Sequence, residues 1–146
     1  MYKFDDGQLD IYSLIKPLED MLHMENRWVI RAKAIPWEEL EDKFCQKLYS
    51  NIGAPAKPFR VMLGSLLIKQ YLKISDAETV RQIQENPYLQ YFIGLNEYTY
   101  EPVFTSSLFV SFRRRIDQKS MREIRRIVRN ATKEPDIEET TSEDEA

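Results

Sequence analysis

Residues 57–95, KPFRVMLGSLLIKQYLKISDAETVRQIQENPYLQYFIGL, contain the densest apolar run of the chain. From Phe59 to Tyr71, apolar side chains recur at the three- and four-residue spacing of a helix face. Further apolar residues lie off that face, so the predicted helix is apolar nearly all round and must be buried. Gly64 interrupts it. Because a glycine inside a helix costs about 1 kcal/mol relative to alanine, we predict that another helix approaches closely there.

A sharp corner is predicted where this helix ends, at residues 73 and 74. Ser75 and Glu78 have the spacing of a capping box, in which the hydroxyl accepts from the amide of Glu78 and the carboxylate accepts from the amide of Ser75. The helix that follows carries a narrow apolar seam at Ala77, Val80 and Ile83. A buried helix, a short turn and a thin polar helix are typical of a helix-turn-helix. An ordinary helical hairpin fits the same pattern, and the pattern alone favours it.

A third helix is predicted after Asn86, with Asn86 as the N-cap and Pro87 at the first helical position. Gly94 is a suitable residue to end it. Residues 95–104 then form an aromatic loop without helical periodicity. Its rings are suited to stacking on bases, but we expect them instead to cover the core.

Upstream, Pro17 divides the segment 9–24 into either two short pieces or one kinked helix. A further helix is predicted from near Pro36 to about Tyr49, with an apolar stripe that includes Trp37, and residues 51–58 are a loop rich in Gly and Pro. Residues 26–35 receive no assignment.

Downstream of the aromatic loop, Thr105 and the serines after it are candidate N-caps for a helix. The pair Ser120 and Glu123 has the spacing of a second capping box, which predicts the start of the last helix. That helix directs its apolar residues inward and carries bases on another face. The inward set is Met121, Ile124, Ile127, Val128 and Ala131.

Charge is distributed unevenly, although the formal net charge is only −3. Residues 105–133 contain nine Lys or Arg against two acids, whereas residues 134–146 contain seven acids and no base. An Arg-rich helix is often only a solvated face. Arginines on two helices also suit phosphate, because the guanidinium fork matches phosphate oxygens. The acidic segment has little apolar content, which predicts disorder.

Composition excludes several classes of protein. The 146 residues suit one domain, and only 4 glycines favour helices over a turn-rich β fold. No apolar run reaches the ~18 residues that span a bilayer, and the acidic N-terminus is unlike a signal peptide, so we expect a cytoplasmic protein. Cys45 is the only cysteine and His23 the only histidine. Neither has a partner motif, so no catalytic site, metal site or cofactor is predicted.

Seven blocks of the chain, in order, resemble the N-terminal domain of bacterial insertion-sequence transposases of the DDE class. They comprise residues 24–29, 35–40, 53–58, 66–72, 74–78, 84–95 and 104–116. The resemblance covers roughly residues 5–133. Two positions depart from the usual pattern: Thr105 stands in place of Asp, although Thr still caps a helix, and Ala54 replaces an Arg in the Gly-Pro loop.

The resemblance implies an all-α, compact helical domain with a helix-turn-helix-like core at residues 1–133, followed by a disordered acidic tail at 134–146. In that family this domain is thought to recognise the terminal inverted repeats of the element in double-stranded DNA. A separate domain contains the carboxylates that bind two divalent ions, and these ions activate the nucleophile that cleaves the DNA strand. We therefore expect DNA binding without strand cleavage, in a truncated or split transposase. Two alternatives stay open: a module for self-association or pairing with a full-length transposase, and a regulator that competes with it.

The DNA-contacting residues expected on this basis fall in two groups. Those of the helix after Ser75 have donors and acceptors suited to base edges, and those of the two C-terminal helices suit phosphates. They are Arg81, Gln82 and Gln84 in the first group, and Arg113, Arg114, Arg115, Lys119, Arg122, Arg125, Arg126 and Arg129 in the second.

Overall fold

The computed structural model describes residues 17–49 and 57–135. All regular elements in these two ranges are α-helices, which confirms the predicted all-α class. They are α1 (Leu18–Met21), α2 (Arg27–Ala34), α3 (Trp37–Tyr49), α4 (Phe59–Leu72), α5 (Asp76–Glu85), α6 (Pro87–Phe92), α7 (Ser106–Arg115) and α8 (Gln118–Thr132). No helix among the described residues is both long enough and apolar enough to cross a bilayer. The predictions for residues 9–16, for most of the 51–58 loop and for the tail beyond residue 135 lie outside the described residues.

Helix α4 is the central element, as predicted from its all-round apolar character. It packs against α3, α5 and α7, and it is buried continuously from Val61 to Gln70. The hydroxyl of Ser65, inside this helix, donates to the carbonyl of Val61 at 2.7 Å, so its burial leaves no unsatisfied donor. Gly64 lies where α6 ends: a Cβ on it would be 3.0 Å from Cγ2 and 3.2 Å from Cα of Ile93. The predicted close approach is confirmed.

The corner after α4 is formed by Lys73, which has a φ of 56°. Its amide donates to the carbonyl of Lys69 at 2.8 Å, and the chain then turns into α5. Ser75 caps α5 as predicted, since its hydroxyl accepts from the amide of Glu78 at 3.1 Å. The other half of the predicted capping box is wrong. The Glu78 carboxylate instead accepts from Arg81 at 3.3 Å and from Gln82 at 3.0 Å.

Helix α5 buries a different seam from the predicted one. Ile83 is buried and Val80 is half-buried, but Ala77 is exposed, and Thr79 takes the buried place. Thr79 can do this because its hydroxyl donates to the carbonyl of Ser75 at 2.7 Å. The buried polar atom is therefore satisfied within the helix.

Asn86, Pro87 and Gly94 bound α6 as predicted. The Asn86 side chain accepts from the amide of Tyr88 at 2.9 Å, and Pro87 is the first helical residue. Gly94 has a φ of 96°, and its amide donates to the carbonyl of Tyr91 at 3.0 Å. A glycine adopts this conformation without strain, which explains why the helix ends here.

Helix α2 was not predicted, and it is a short helix held by its tertiary contacts. Asn26 caps it by accepting from the amide of Trp28 at 2.7 Å. The Trp28 ring then packs edge-on against Phe92 and Tyr71, with centroid distances of 5.2 and 5.5 Å. Aromatic contacts of this kind contribute about 0.5–1.5 kcal/mol beyond the area they bury. Helix α2 is thus stabilised by residues more than 40 positions away.

The aromatic loop covers the core, as we expected. Phe104 is buried, and the buried amide of Gln90 holds the loop by donating to the carbonyl of Thr99 at 3.0 Å and accepting from its amide at 2.9 Å. Tyr98 donates its hydroxyl to the carbonyl of Gln84 at 2.9 Å. Tyr100 is different, because 81% of it is exposed.

The last helix, α8, begins earlier than predicted, so the second capping box is wrong. Its N-cap is Asp117, whose carboxylate accepts from the amide of Ser120 at 2.6 Å. A carboxylate at this position also interacts favourably with the helix dipole, which a serine hydroxyl does not. Ser120 lies inside the first turn and is buried.

Candidate nucleic-acid interface

The basic C-terminal segment forms two helices, α7 and α8, with their apolar residues directed inward. Phe109 and Phe112 of α7 are buried, and so are Met121, Ile124, Ile127 and Val128 of α8, as predicted; Ala131 is only half-buried. The spacing of these residues leaves the bases of each helix on the remaining faces. The nine bases of the segment do not, however, all reach the surface.

Arg113 points into the molecule and binds Asp76, the first residue of α5. Its Nε and Nη2 donate to the two carboxylate oxygens at 3.1 and 2.8 Å, and both side chains are only 12% exposed. Lys69 of α4, 1% exposed, places Nζ 4.0 Å from the same carboxylate and donates to the carbonyl of Ile74 at 2.9 Å. Arg113 therefore joins α7 to α5 and α4, and this two-pronged geometry is the strong form of an ion pair.

Arg125 is also withdrawn from solvent, since only 8% of it is exposed. It lies on the side of α8 that contains Ile124 and Val128, both buried. Arg113 and Arg125 thus occupy structural positions within the fold. Phosphate contact by either stays a prediction that would require the side chain to leave its present surroundings.

The other predicted bases of this segment face solvent. Arg114, Arg115, Lys119, Arg122 and Arg126 are exposed, and Arg129 is half-exposed. Arg126 has a nearby acid, with Nη2 3.9 Å from Oε2 of Glu123. An exposed pair at that distance contributes about 0–1 kcal/mol, so it competes weakly with a phosphate.

A shallow, open depression lies on the solvent face of α7. Its lining consists of small hydroxyl residues, one apolar residue and two arginines: Ser106, Ser107, Val110, Ser111, Arg114 and Arg115. The serines and Val110 were not among the predicted site residues. The spacing of Ser107, Ser111 and Arg114, four and then three residues apart, is the signal that places them on one face of a helix.

The base-reading candidates on α5 are engaged within the molecule. Gln82 donates to Glu78 at 3.0 Å, and Gln84 donates to the carbonyl of Tyr100 at 2.9 Å. Arg81 donates to Glu78 at 3.3 Å, although 67% of its side chain is exposed. The structure brings these three residues to one helix but gives their polar groups partners inside the chain.

Glu134, the first residue of the predicted acidic tail, is bound to the domain. Arg31 of α2 donates to both of its carboxylate oxygens at 3.1 Å, and the hydroxyl of Tyr71 donates to Oε1 at 3.3 Å. The Arg31 guanidinium also lies 4.0 Å from the centre of the Tyr71 ring. Burial, and then the negative charge of Glu134, raise the pKa of Tyr71 to about 12.

Metal ligands are not assembled in the described part of the chain: no group of three or more His, Cys, Asp or Glu is placed there to hold an ion. Cys45 and His23, the two residues noted from the sequence, are not among such a group. Cys45 is half-buried against the core, and burial raises the pKa of its thiol. His23 is exposed, and its backbone amide donates to the hydroxyl of Tyr88 at 3.1 Å.

Comparison with known proteins gives a family and one relative. Residues 16–115 match the family model described as "Transposase domain (DUF772)". An uncharacterised protein, ORF8 in the nfe locus of Rhizobium meliloti, is 30% identical over 107 residues. The alignment covers 73% of this chain and 51% of that protein, so the chain spans about half the length of the curated relative it matches. No solved structure matches the chain.

Proposed function

The chain belongs to the Transposase domain (DUF772) family, and from this membership we propose that it binds duplex DNA at the ends of an insertion sequence. It would do so in the cytoplasm as the N-terminal, end-recognising part of a transposase of the DDE class. This domain would recognise the DNA and would not cleave it, since strand cleavage requires carboxylates that hold divalent ions at fixed geometry.

The observation that carries the proposal is the exposed basic face of α7 and α8. Five bases there are exposed, and the acids within these two helices are limited to Glu123. Lys and Arg that neutralise phosphates release counterions, which supplies most of the sequence-independent affinity for DNA. Both helices are held from behind by buried apolar residues, so the guanidinium groups are presented from a fixed scaffold.

The test is the salt dependence of binding to a mixed-sequence duplex. If the face contacts about four to six phosphates, the slope of log affinity against log salt concentration is expected to be about −4 to −5. Replacing Arg122 or Arg126 by Gln should each reduce that slope by about one. Lys33→Gln, which removes an exposed base from α2, is the matched control and should leave the slope unchanged. A wild-type slope near zero, or no binding at low salt, would contradict the proposal.

Self-association is a second candidate function, and the exposure of Tyr100 supports it. Large aromatic side chains are enriched at the centres of protein interfaces, and Tyr100 is 81% exposed, with only its ring edge held against the ring of Tyr98 at a centroid distance of 4.9 Å. Sedimentation of the wild type and of Tyr100→Ser over a range of concentrations tests this. A monomer at every concentration in both proteins would remove the candidate.

A further inference from the structure

We propose that α7, through its solvent face, is the helix that enters the major groove and reads bases, and that α5 does not. This inference rests on the proposed function, because it presupposes that the domain binds duplex DNA. The sequence predicts that residues of α5 contact the base edges, and α7 takes that role here.

The surroundings of α5 leave it little surface for DNA. It packs against three other helices, α4, α6 and α7. Its exposed residues form one stripe of Ala77, Arg81 and Glu85, which has no net charge. Glu78 lies beside this stripe and accepts hydrogen bonds from Arg81 and Gln82. Insertion of α5 into a groove would bring two carboxylates towards phosphates and would break these bonds.

Helix α7 has the opposite character. Its ten residues contain no acid, and its length of about 15 Å suits the width of the major groove. The six residues that line the depression on the solvent face of α7 extend from Ser106 in the first turn of the helix to Arg115 in its last turn. All of them lie within the stretch that matches the family, whereas α8 lies beyond it.

The chemistry of this face matches what base edges present. Serine hydroxyls accept or donate at any base, and an apolar side chain contacts the methyl group of thymine. Ser107, Ser111 and Val110 supply these groups over the first two turns of α7. Arg114 and Arg115, both exposed, follow at the C-terminal end, where they can contact guanine or the flanking phosphates.

The orientation of α7 is fixed from the opposite side. Phe109 and Phe112 are fully buried, and Arg113 binds both oxygens of Asp76. Residues that read bases must be held within a fraction of an ångström, and a buried two-pronged contact on the same helix provides this. The buried side of α7 fixes its orientation and its exposed side carries polar groups, so α7 is a better candidate than α5 for the helix that reads bases.

The experiment compares two double variants that leave charge unchanged. A pool of duplexes with a randomised central segment is first selected with the wild type, which yields a preferred sequence. The affinity ratio for that sequence over a scrambled one is then measured for Ser107→Ala/Ser111→Ala in α7 and for Gln82→Ala/Gln84→Ala in α5. We expect the α7 variant to lose about ten-fold in this ratio, which corresponds to about 1.4 kcal/mol for the loss of two single hydrogen bonds. Its affinity for the scrambled duplex should change by less than about two-fold, and the α5 variant should keep the ratio.

A second variant, Val110→Glu, places an acid in the middle of the α7 face. It should weaken binding to both duplexes, and far-UV circular dichroism verifies that the helices remain. If only the α5 variant lost the preference for the selected duplex over the scrambled one, the inference would be overturned and the proposed function would remain intact. Wild-type binding without any selected sequence would also overturn it while preserving DNA binding. Failure of the wild type to bind any duplex would overturn both.

Discussion

Neutralising Asp76 should destabilise the domain more than removing Arg113, one of the two cations that face it. Arg113 binds both of its oxygens, and Lys69 lies 4.0 Å away with 1% exposure. In Asp76→Asn both cations keep their other contacts but lose the negative charge of the Asp76 carboxylate. Removing one partner of a buried ion pair costs about 3–5 kcal/mol. Because both side chains are 12% exposed, we expect a cost at the lower end of that range. Asp76 is also the first residue of α5, where a negative charge adds about 0.3–1 kcal/mol.

The expected loss is therefore about 3–4 kcal/mol for Asp76→Asn, a large part of the 5–15 kcal/mol typical of whole domains. In Arg113→Met the carboxylate keeps Lys69 as its counterion. One cation then faces one carboxylate, and we expect a loss of at most about 2 kcal/mol.

Urea unfolding followed by far-UV circular dichroism measures both free energies, and the melting temperature of Asp76→Asn should fall by roughly 10 °C. Glu85→Gln is the control, because it makes the same change of acid to amide at an exposed position of the same helix. It should shift the free energy of unfolding by no more than about 0.5 kcal/mol. The reasoning is refuted if Asp76→Asn costs no more than this control, or if Arg113→Met costs more than Asp76→Asn.

Two further predictions concern Glu134 and the segment after it. Because the pKa of Tyr71 is raised from 10.0 to about 12 in the folded chain, its contribution to stability should be fully present below pH about 10 and be lost as the pH rises towards 12. Comparing the pH dependence of unfolding in the wild type and Tyr71→Phe measures this, and parallel curves above pH 10 would contradict it. Deleting the acidic residues after Pro135, while keeping the contact of Glu134 with Arg31, should tighten DNA binding at low salt. The difference in affinity between the shortened and the full-length chain should decrease as salt screens the carboxylates. Equal affinities at low salt would mean that the tail does not compete with phosphates.

The central helices could be predicted because their determinants are local. The apolar run of α4, the hydroxyl of Ser75 and the pair Asn86-Pro87 act over a few residues each, and all did what their spacing indicates. Helix α2 was not found because its stability depends on the contact of Trp28 with Phe92, which sequence spacing does not show. Local rules work where the interaction closes within one or two turns.

The roles of neighbouring arginines could not be separated for the same reason. Arg113, Arg114 and Arg115 are equivalent in composition, but successive helical residues point about 100° apart. Arg113 lies four residues after the buried Phe109 and therefore on the inward side of α7, but the carboxylate that it binds, Asp76, is 37 residues away and is not visible in that spacing. The start of α8 presents a similar case: both Asp117 and Ser120 are acceptable caps, and the earlier one is used because it lets Ser120 and Met121 join the packed face.

The contact between Arg31 and Glu134 has a consequence for the order in which the chain acquires its structure on the ribosome. The two residues are 103 positions apart, so the carboxylate does not yet exist when α2 leaves the exit tunnel. At about 5–20 residues per second, the guanidinium waits several seconds or more for its partner. During that time Arg31 can rest first on the ring of Trp28 and, once residue 71 has been synthesised, on the ring of Tyr71, from which its guanidinium carbon lies 4.7 and 4.0 Å in the folded domain. Completion of this corner is thus timed by synthesis through residue 134, which makes it a late event in the biogenesis of the domain.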